Sequence, residues 1–578
     1  MAIFHAEPGM PPHARRSLTA TRWRLIPPVG VLPPQQPPAL GQVLASRGVQ
    51  TPAEIDAFLS ADLHALADPL LLPEMAIAVE AIQQALTTGG RIRIFGDYDA
   101  DGITATALLV RALSALGGVV DWYMPHRVDD GYGLNCPALE EAHTGGVVLG
   151  ITVDNGITAH AQLAYAAEIG LPMIVTDHHE PGDTLPPAVA VINPKRADSA
   201  YPYRELAGVG VAFTLLRALC AARGLPADAP MRFLDLVALG TIADVAPLTG
   251  ENRLLVRHGL PMLTPGNKKI GLAALLRAVG IQEQASSGDV AFKVGPRLNA
   301  AGRVAHAAMA LNLLLTNDKA EAETLSAGLC EQNAQRQEEE TRTLGQALAM
   351  VEKRDLATEK FLLLTSAEWH PGIIGIVAAR LLERYHRPCA LIAVQDGVGK
   401  GSARARAPFH LWEALERSSS LLTRFGGHRV AAGFEVAEEM IPMLTARLLA
   451  IADETLTTED LSPTLDIDTW IDLPDVTTPF TRQVETLAPF GMGNPTPIFA
   501  ATDVTLHHFS RRGQDGAHLS LSLRMQPGGR TISAIWFRHG HLADQLTQGQ
   551  QLDIAFTTEL NCWQGLTTPQ LVVKDVMV

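Results

Sequence analysis

Cysteine is scarce and scattered. The 578 residues include 5 cysteines, Cys136, Cys220, Cys330, Cys389 and Cys562, odd in number and never spaced as Cys-x-x-Cys. That argues against a disulfide framework and a thiolate zinc site and fits reduced thiols. Long apolar runs are missing too. None reaches the roughly 18 uncharged residues of a membrane span, and in MAIFHAEPGMPPHARR prolines stand where a secretory leader would be apolar. No membrane association is expected, and the expected location is the cytoplasm. Positive charge is in deficit: 46 Lys and Arg against 61 Asp and Glu give a formal net charge of −15. A uniformly basic nucleic-acid coat is excluded, so any such contact has to be local. Several catalytic templates are absent as well. There is no Gly-x-Ser-x-Gly elbow and no His-Glu-x-x-His, and Gly397-Val-Gly-Lys-Gly-Ser402 lacks the spacing of a phosphate-binding Walker loop. What is present is ample apolar material, 47% of residues, in a chain longer than one core supports, so three or four domains are expected.

Residues 1 to about 40 are proline-rich and read as an extended arm laid over a domain, with Trp23 as a candidate anchor. Beyond them, short apolar runs at Ile92–Phe95, Val119–Met124, Val147–Val153, Met173–Thr176 and Val189–Ile192 alternate with helical stretches, the pattern of βαβ units on a parallel sheet. A helical part follows, and Asp318 to about Glu352 reads as one long polar helix. Strand–helix alternation resumes at Phe361 and gives a second α/β domain to about residue 455. After Thr464 the alternation in Leu519–Leu523 and Ile532–Phe537 predicts a small antiparallel barrel.

The chemistry concentrates at strand ends. Asp97-Tyr-Asp99-Ala-Asp101 directly follows the Ile92–Phe95 strand, and three carboxylates in one turn are costly unless cations neutralise them. A calcium EF-hand does not fit, because the twelfth loop position is Leu108 and a strand precedes the loop. Alone, such a turn could simply cap a helix. Two more strands end alike, at Asp154-Asn-Gly156 and at Asp177-His178-His179, although Asp154 taken singly could be a cap and the histidines surface residues. In open parallel sheets the functional crevice lies beyond the carboxyl ends of the strands, so these groups are expected to converge. Carboxylates with one or two imidazoles and no thiolate suit Mn²⁺ or Mg²⁺. Asp244, a lone acid in the apolar stretch Leu239–Pro247, needs a metal or an arginine as partner.

Together, Asp97-Tyr-Asp-Ala-Asp101, Val153-Asp-Asn-Gly156 and Asp177-His-His179 resemble the DHH phosphoesterase superfamily. Val128–Asn135, Gly295-Pro-Arg-Leu-Asn-Ala-Ala-Gly-Arg303, Trp369–Gly375, Gly401-Ser-Ala-Arg404, Phe425-Gly-Gly-His428 and Pro489–Pro495 narrow the resemblance to RecJ-type exonucleases, a family within it, from about residue 40 onward. The resemblance implies an arm and helical segment over 1–60, a DHH catalytic domain over 61–310, a connecting helix over 311–355, a DHHA1 domain over 356–458 and an OB-fold over 459–578. It also implies metal-dependent 5′→3′ hydrolysis of single-stranded DNA to 5′-mononucleotides in recombination and repair. Carried over by motif, Asp99, Asp101, Asp154, His178 and Asp244 would be ligands of one or two Mn²⁺ or Mg²⁺ ions, with Asp154 bridging. Asp97 and His179 would lie beside them. Two such ions activate a water and stabilise the leaving 3′ oxygen. Where many superfamily members carry a histidine four residues before the first ligand, this chain has Phe95, which cannot ligate. For DNA the resemblance points to Arg127 and Tyr132 near the scissile phosphate, to Arg297, Ser402 and Arg404 as a 5′-phosphate pocket, and to Arg303 and His428 as further phosphate contacts. Arg511, Arg512 and Arg524 with Phe509 and Trp536 offer charge and stacking in the tail. The partners implied are single-stranded DNA, single-strand-binding protein and a RecQ-type helicase, acting on a monomer. Two other readings stay open: a small-substrate DHH phosphatase or oligoribonuclease, and a catalytically inactive replication scaffold.

Overall fold

The computed structural model describes residues 15–27, 36–125, 133–304, 307–525 and 529–578. Arg127 and Tyr132 lie outside the described residues, and so does the side chain of Arg303. The chain forms two compact units, residues 61–342 with 489–495, and residues 1–60 with 343–488 and 496–578.

The first unit is built on five parallel strands, β1 (Arg91–Phe95), β2 (Val119–Tyr123), β3 (Val147–Val153), β4 (Met173–Thr176) and β5 (Ala190–Ile192), in the order β2-β1-β3-β4-β5. Both faces are covered. On one lie α1 (Ala100–Ala115), α4 (Gly208–Ala222) and α5 (Leu234–Ala243); on the other lie α2 (Cys136–Thr144) and α3 (His160–Glu168). Alternation along β1 sends Ile92 and Ile94 into the first layer and Phe95 into the second. Arg93 is buried between them because Asp121, its register partner on β2, takes its guanidinium in two 2.9 Å bonds. Further on come α6 (Gly295–Val304) and the predicted long helix α7 (Lys319–Val351), whose 33 residues extend about 50 Å. Polar as α7 is, Ala322, Ser326, Leu329, Asn333, Arg336 and Glu340 recur every three or four residues and are buried, Arg336 paired with Glu340 at 2.8 Å.

The second unit holds a sheet of order β9-β10-β8-β7-β6, with β6 (Leu362–Ser366), β7 (Cys389–Gln395), β8 (Val398–Arg404), β9 (Arg424–Gly427) and β10 (Ala431–Ala437), and α8 (Ile374–Tyr385) joining β6 to β7. Only β6 and β7 run parallel; the other pairings are antiparallel, so the sheet is mixed. The glycine-rich run that lacks Walker spacing is strand β8. Gly401 is required there because the Phe434 ring packs against it, and a Cβ would come within 2.2 Å of that ring. Next, β11 (Phe499–Arg512), β12 (His518–Arg524), β13 (Ile532–Trp536), β14 (Gln551–Trp563) and β15 (Leu566–Met577) close into a five-stranded barrel, since β11 pairs with both β12 and β14. One pairing, β13 with β15, is parallel, where an antiparallel barrel was expected. Within residues 15–27, Trp23 is buried in a short strand paired with Thr464–Ile467, and its indole N–H donates to Asp575 at 2.7 Å, the anchor expected of it. Among the described residues no helix is long and apolar enough to cross a membrane.

Candidate metal centre

The acidic and histidine motifs all leave the carboxyl ends of parallel strands. Asp97, Asp99 and Asp101 follow β1, Asp154 follows β3, and Asp177, His178 and His179 follow β4. Asp244 ends α5, whose axis points its last turn at the same place. Asp99 is also a cap, its Oδ1 accepting from the backbone N–H of Asp101 (2.9 Å) and Gly102 (3.1 Å), so a ligand candidate doubles as a helix cap. Asp101 is buried against the start of α4, where the N–H groups of Gly208 and Val209 donate to its two oxygens at 2.6 and 2.9 Å. Asp154 takes a left-handed backbone, φ 62°, and Val245, just after Asp244, takes φ 61°. Neither is a glycine, and a β-branched residue there is strained; strain of this kind gathers at functional sites.

Three groups of donor atoms lie within 4.8 Å of one another: Asp97 with Asp99 and Asp154, Asp101 with His178 and Asp244, and Asp154 with His178 and His179. The Nε2 atom of His178 is the focus, 3.0 Å from Asp154 Oδ1, 3.8 Å from Asp101 Oδ2 and 4.0 Å from Asp244 Oδ2. Burial and mutual repulsion from Asp99 raise the Asp101 pKa to about 7, against backbone donation from α4. Burial, then Asp101 and Asp99, push Asp244 up to about 9, and burial with the neighbouring carboxylates raises Asp154 well above the ordinary range. Burial and the charge of His179 lower His178 to about 3, which keeps its imidazole neutral and able to donate a lone pair. Lys195, the nearby ammonium, pairs with Glu180 at 3.1 Å. This donor set fits a hard divalent cation: carboxylate oxygens that repel one another, a neutral imidazole among them, and no thiolate.

The aspartate of the Asp-His-His motif is not a free donor. Its Oδ1 accepts from the N–H groups of His178 (2.7 Å) and His179 (3.1 Å) and from the His179 ring (2.7 Å), and its Oδ2 accepts from Ile157 N–H (2.9 Å). Burial disfavours charge on the His179 ring, but this bond and the surrounding carboxylates outweigh it and hold the pKa near 9. Asp177 thus orients the His179 ring and anchors the backbone of both histidines.

Sequence reasoning missed the residues that leave room for the cluster. A Cβ at Gly208 would lie 2.7 Å from that of Asp154, and one at Gly240 would lie 2.2 Å from Thr104 Oγ1 and 2.9 Å from Asp101 Oδ1. Asn299, inside the Gly-Pro-Arg-Leu-Asn motif, accepts from Ala100 N–H at 2.7 Å and fixes the start of α1. Asn155 ties the ends of β1 and β3 by donating to Phe95 O (3.1 Å) and Val153 O (2.9 Å). The small residues of Ala-Gly-Val-Gly ahead of α4 were the available signal. The ring of Phe95 lies in the α2–α3 layer among Leu134, Leu139 and Met173, so this position is core.

Of the phosphate candidates, Ser402 and Arg404 share one side of β8, where Arg404 Nη1 donates to Ser402 Oγ at 3.2 Å and Gly375 at the start of α8 faces both. His428 is exposed in the β9–β10 turn, its N–H bonded to Ala431 O, and Ala431 is the register partner of Arg404. Arg297 belongs to the first unit, on α6, and donates to Lys293 O at 2.5 Å and Cys330 Sγ at 3.3 Å. In the barrel the stacking assignment for Trp536 is corrected. It is 1% exposed and part of the core; Trp563, on the β14–β15 hairpin tip, is 72% exposed. Arg511 pairs with Asp544 at 2.8 Å.

Comparison with known proteins identifies the family and the domains. The chain matches the N-terminal domain of the DHH family over residues 91–241, the DHHA1 domain over 358–456 and the RecJ OB domain over 467–575. It is 37% identical to the single-stranded-DNA-specific exonuclease RecJ of Bacillus subtilis, over 94% of this chain and 68% of that protein. To the RecJ of Dickeya dadantii it is 36% identical, over 94% of this chain and 97% of the relative. The crystal structure of RecJ from Thermus thermophilus in complex with Mn²⁺ has a TM-score of 0.82 at 35% identity, over 97% of this chain and 80% of that one. For the Mg²⁺ complex the TM-score is 0.76 at 33% identity, over 97% and 79% of the two chains. On this evidence the chain belongs to the RecJ family of single-stranded-DNA-specific exonucleases.

Proposed function

We propose that this chain removes nucleotides from the 5′ end of single-stranded DNA by Mn²⁺- or Mg²⁺-dependent hydrolysis at the strand-end cluster, releasing 5′-mononucleotides. The observation that carries the proposal is the convergence of Asp97, Asp99, Asp101, Asp154, His178 and Asp244 in overlapping donor groups that meet at Asp154 and His178. Asp99, Asp101, Asp154, His178 and Asp244 would hold one or two ions, Asp154 being shared by two of the donor groups, with Asp97 and His179 alongside. Bound there, a divalent cation supplies the Lewis acidity that activates the attacking water and stabilises the leaving 3′ oxygen. The residues of the chain do the rest. Neutral His178 offers its lone pair, Asp177 fixes the His179 ring and the backbone of both histidines, and the N–H groups of α4 hold Asp101 in place. His179, its ring held by Asp177, stands beside the cluster where it can meet a substrate oxygen.

Single-stranded DNA as substrate rests on family membership and on the OB-fold barrel, an architecture that binds single strands. Direction from the 5′ end is assigned to Ser402 and Arg404, a hydroxyl and a guanidinium set among glycines, which suit a terminal phosphate. Arg127, Tyr132, Arg297, Arg303 and His428 complete the proposed strand contacts. The role in recombination and repair, single-strand-binding protein and a RecQ-type helicase as partners, a monomeric state and a cytoplasmic location belong to the same proposal and rest on family resemblance. An inactive scaffold has no need of this donor set, and a small-substrate phosphatase has no need of the barrel.

The test is Asp154→Ala assayed with saturating Mn²⁺ on long single-stranded DNA, blunt duplex DNA and a dinucleotide. The variant should fold and lose nearly all hydrolysis, because a ligand at a strand end carries little core packing. The wild type should favour the long single strand. Retained activity in the variant, or equal rates on blunt duplex, would overturn the assignment.

A further inference from the structure

Away from the strand ends, the first unit holds a cavity of about 890 Å³ lined by Arg111, Arg232, Lys268 and Lys269 against one carboxylate, Asp235. In a chain with a formal charge of −15, three positive charges in excess around one cavity are a local reversal. Asp235 is fully satisfied. Lys269 Nζ lies 2.7 and 2.8 Å from its two oxygens, and the Asn267 amide donates to Oδ2 at 2.7 Å. Arg111 is held too, donating to the carbonyls of Leu314 (2.7 Å), Leu315 (3.0 Å) and Thr316 (3.2 Å), so its position is fixed by neutral acceptors rather than by a bonded carboxylate. Arg232 and Lys268 are exposed and take no ion-pair partner among the described residues. Burial, with the other cations close by, lowers the pKa of both Arg111 and Lys269, although Asp235 opposes it; an added anion would relieve that crowding.

The remaining lining is mixed. Ser114, Thr264 and Asn317 offer two hydroxyls and an amide, and Val110, Met262 and Leu315 offer apolar wall. The volume falls in the range of small-molecule sites and exceeds what one inorganic phosphate needs. Guanidinium forks match phosphate oxygens, and amides beside apolar surface suit a sugar and base. We propose that this cavity binds a nucleotide through its phosphate.

Its place in the fold gives that site a consequence. Helix α5 begins at the cavity with Asp235 and ends at Asp244 of the metal centre; α1 runs the other way, from Asp101 to Arg111. Nine or ten residues of helix separate the two ends, about 14–15 Å. The helices are locked where Gly240 meets Thr104 and Asp101. A nucleotide seated among the cations therefore touches both helices that carry metal-ligand candidates.

Calorimetry on the full-length protein tests this with three probes, deoxyadenosine 5′-monophosphate, pyrophosphate and deoxyadenosine, each with Mn²⁺ and with EDTA. The monophosphate and pyrophosphate are expected to bind in both conditions, and deoxyadenosine at least tenfold more weakly. Arg232→Glu with Lys268→Glu should weaken monophosphate binding at least tenfold, and Lys268→Gln alone severalfold, with unchanged melting temperature, since both side chains are exposed. Binding that requires Mn²⁺ would place the nucleotide at the metal centre and overturn the proposal. Equal affinity for deoxyadenosine, binding unaltered in both variants, or no binding to the wild type would overturn it as well.

Discussion

Carboxylates gathered without cations are costly, and the metal-free protein should reveal that cost through its pH dependence. Burial leads in raising Asp101 to about 7 and Asp244 to about 9, and carboxylate contacts hold His179 near 9 against burial. In the unfolded chain the aspartates titrate near 3.9 and histidine near 6.5. Between pH 7 and pH 9 the folded metal-free protein therefore retains protons that the unfolded chain has released. Stability then falls as pH rises, the reverse of the usual paired carboxylate. His178, lowered to about 3, acts with the opposite sign, but only below about pH 6.5 and outside this window. A bound cation replaces those protons, so the gain in melting temperature from Mn²⁺ over EDTA is expected to be larger at pH 9 than at pH 7. A gain independent of pH would mean that these carboxylates are not the ligands.

At the scale of elements, the strand ends of the first unit were legible because a buried parallel strand reads as an uninterrupted apolar run, and the residue that breaks the run marks the crevice. Asp97, Asp154 and Asp177 each stand one or two residues past such a run. What sequence could not give was the role of each oxygen. Asp177 reads like its neighbours, yet its oxygens are taken up by backbone and by His179. Gly208 and Gly240 were hidden because their function is the absence of a Cβ beside residues far away in sequence. Phe95 looked like a missing ligand, and the layer it faces is set by strand alternation, which places it in the core. Strand β8 was obscured by its own glycines, which the Phe434 ring explains only once packed. That strand carries the polarity argument, because metal ions treat either chain direction alike and direction must come from recognition of an end. A terminal phosphate bears more charge than an internal diester, so Arg404→Ala should slow digestion of 5′-phosphorylated strands far more than of 5′-hydroxyl strands, with Mn²⁺ affinity unchanged. Equal loss on both would reduce Arg404 to a structural role.

For the whole molecule the question is how a chain of net charge −15 holds a polyanion. Long-range attraction is ruled out by sign, since a Debye length near 8 Å at physiological salt confines each contact to its own surroundings. Binding must then come from a countable set of cations, each releasing counterions from the strand it touches. On single strands log K falls by about 0.7 per phosphate neutralised for each decade of salt. If Arg127, Arg297, Arg303 and Arg404 each neutralise one phosphate, the affinity of Asp154→Ala protein for an oligothymidylate should fall with log[salt] at a slope of roughly 3. Each arginine-to-alanine change made in that background should reduce the slope by about 0.7. Arg511, paired with Asp544, should leave it nearly unchanged when replaced, because a cation already neutralised by its own carboxylate releases little. A slope near zero would mean that stacking rather than charge holds the strand, and one well above 3 would mean that basic residues beyond these four track the backbone.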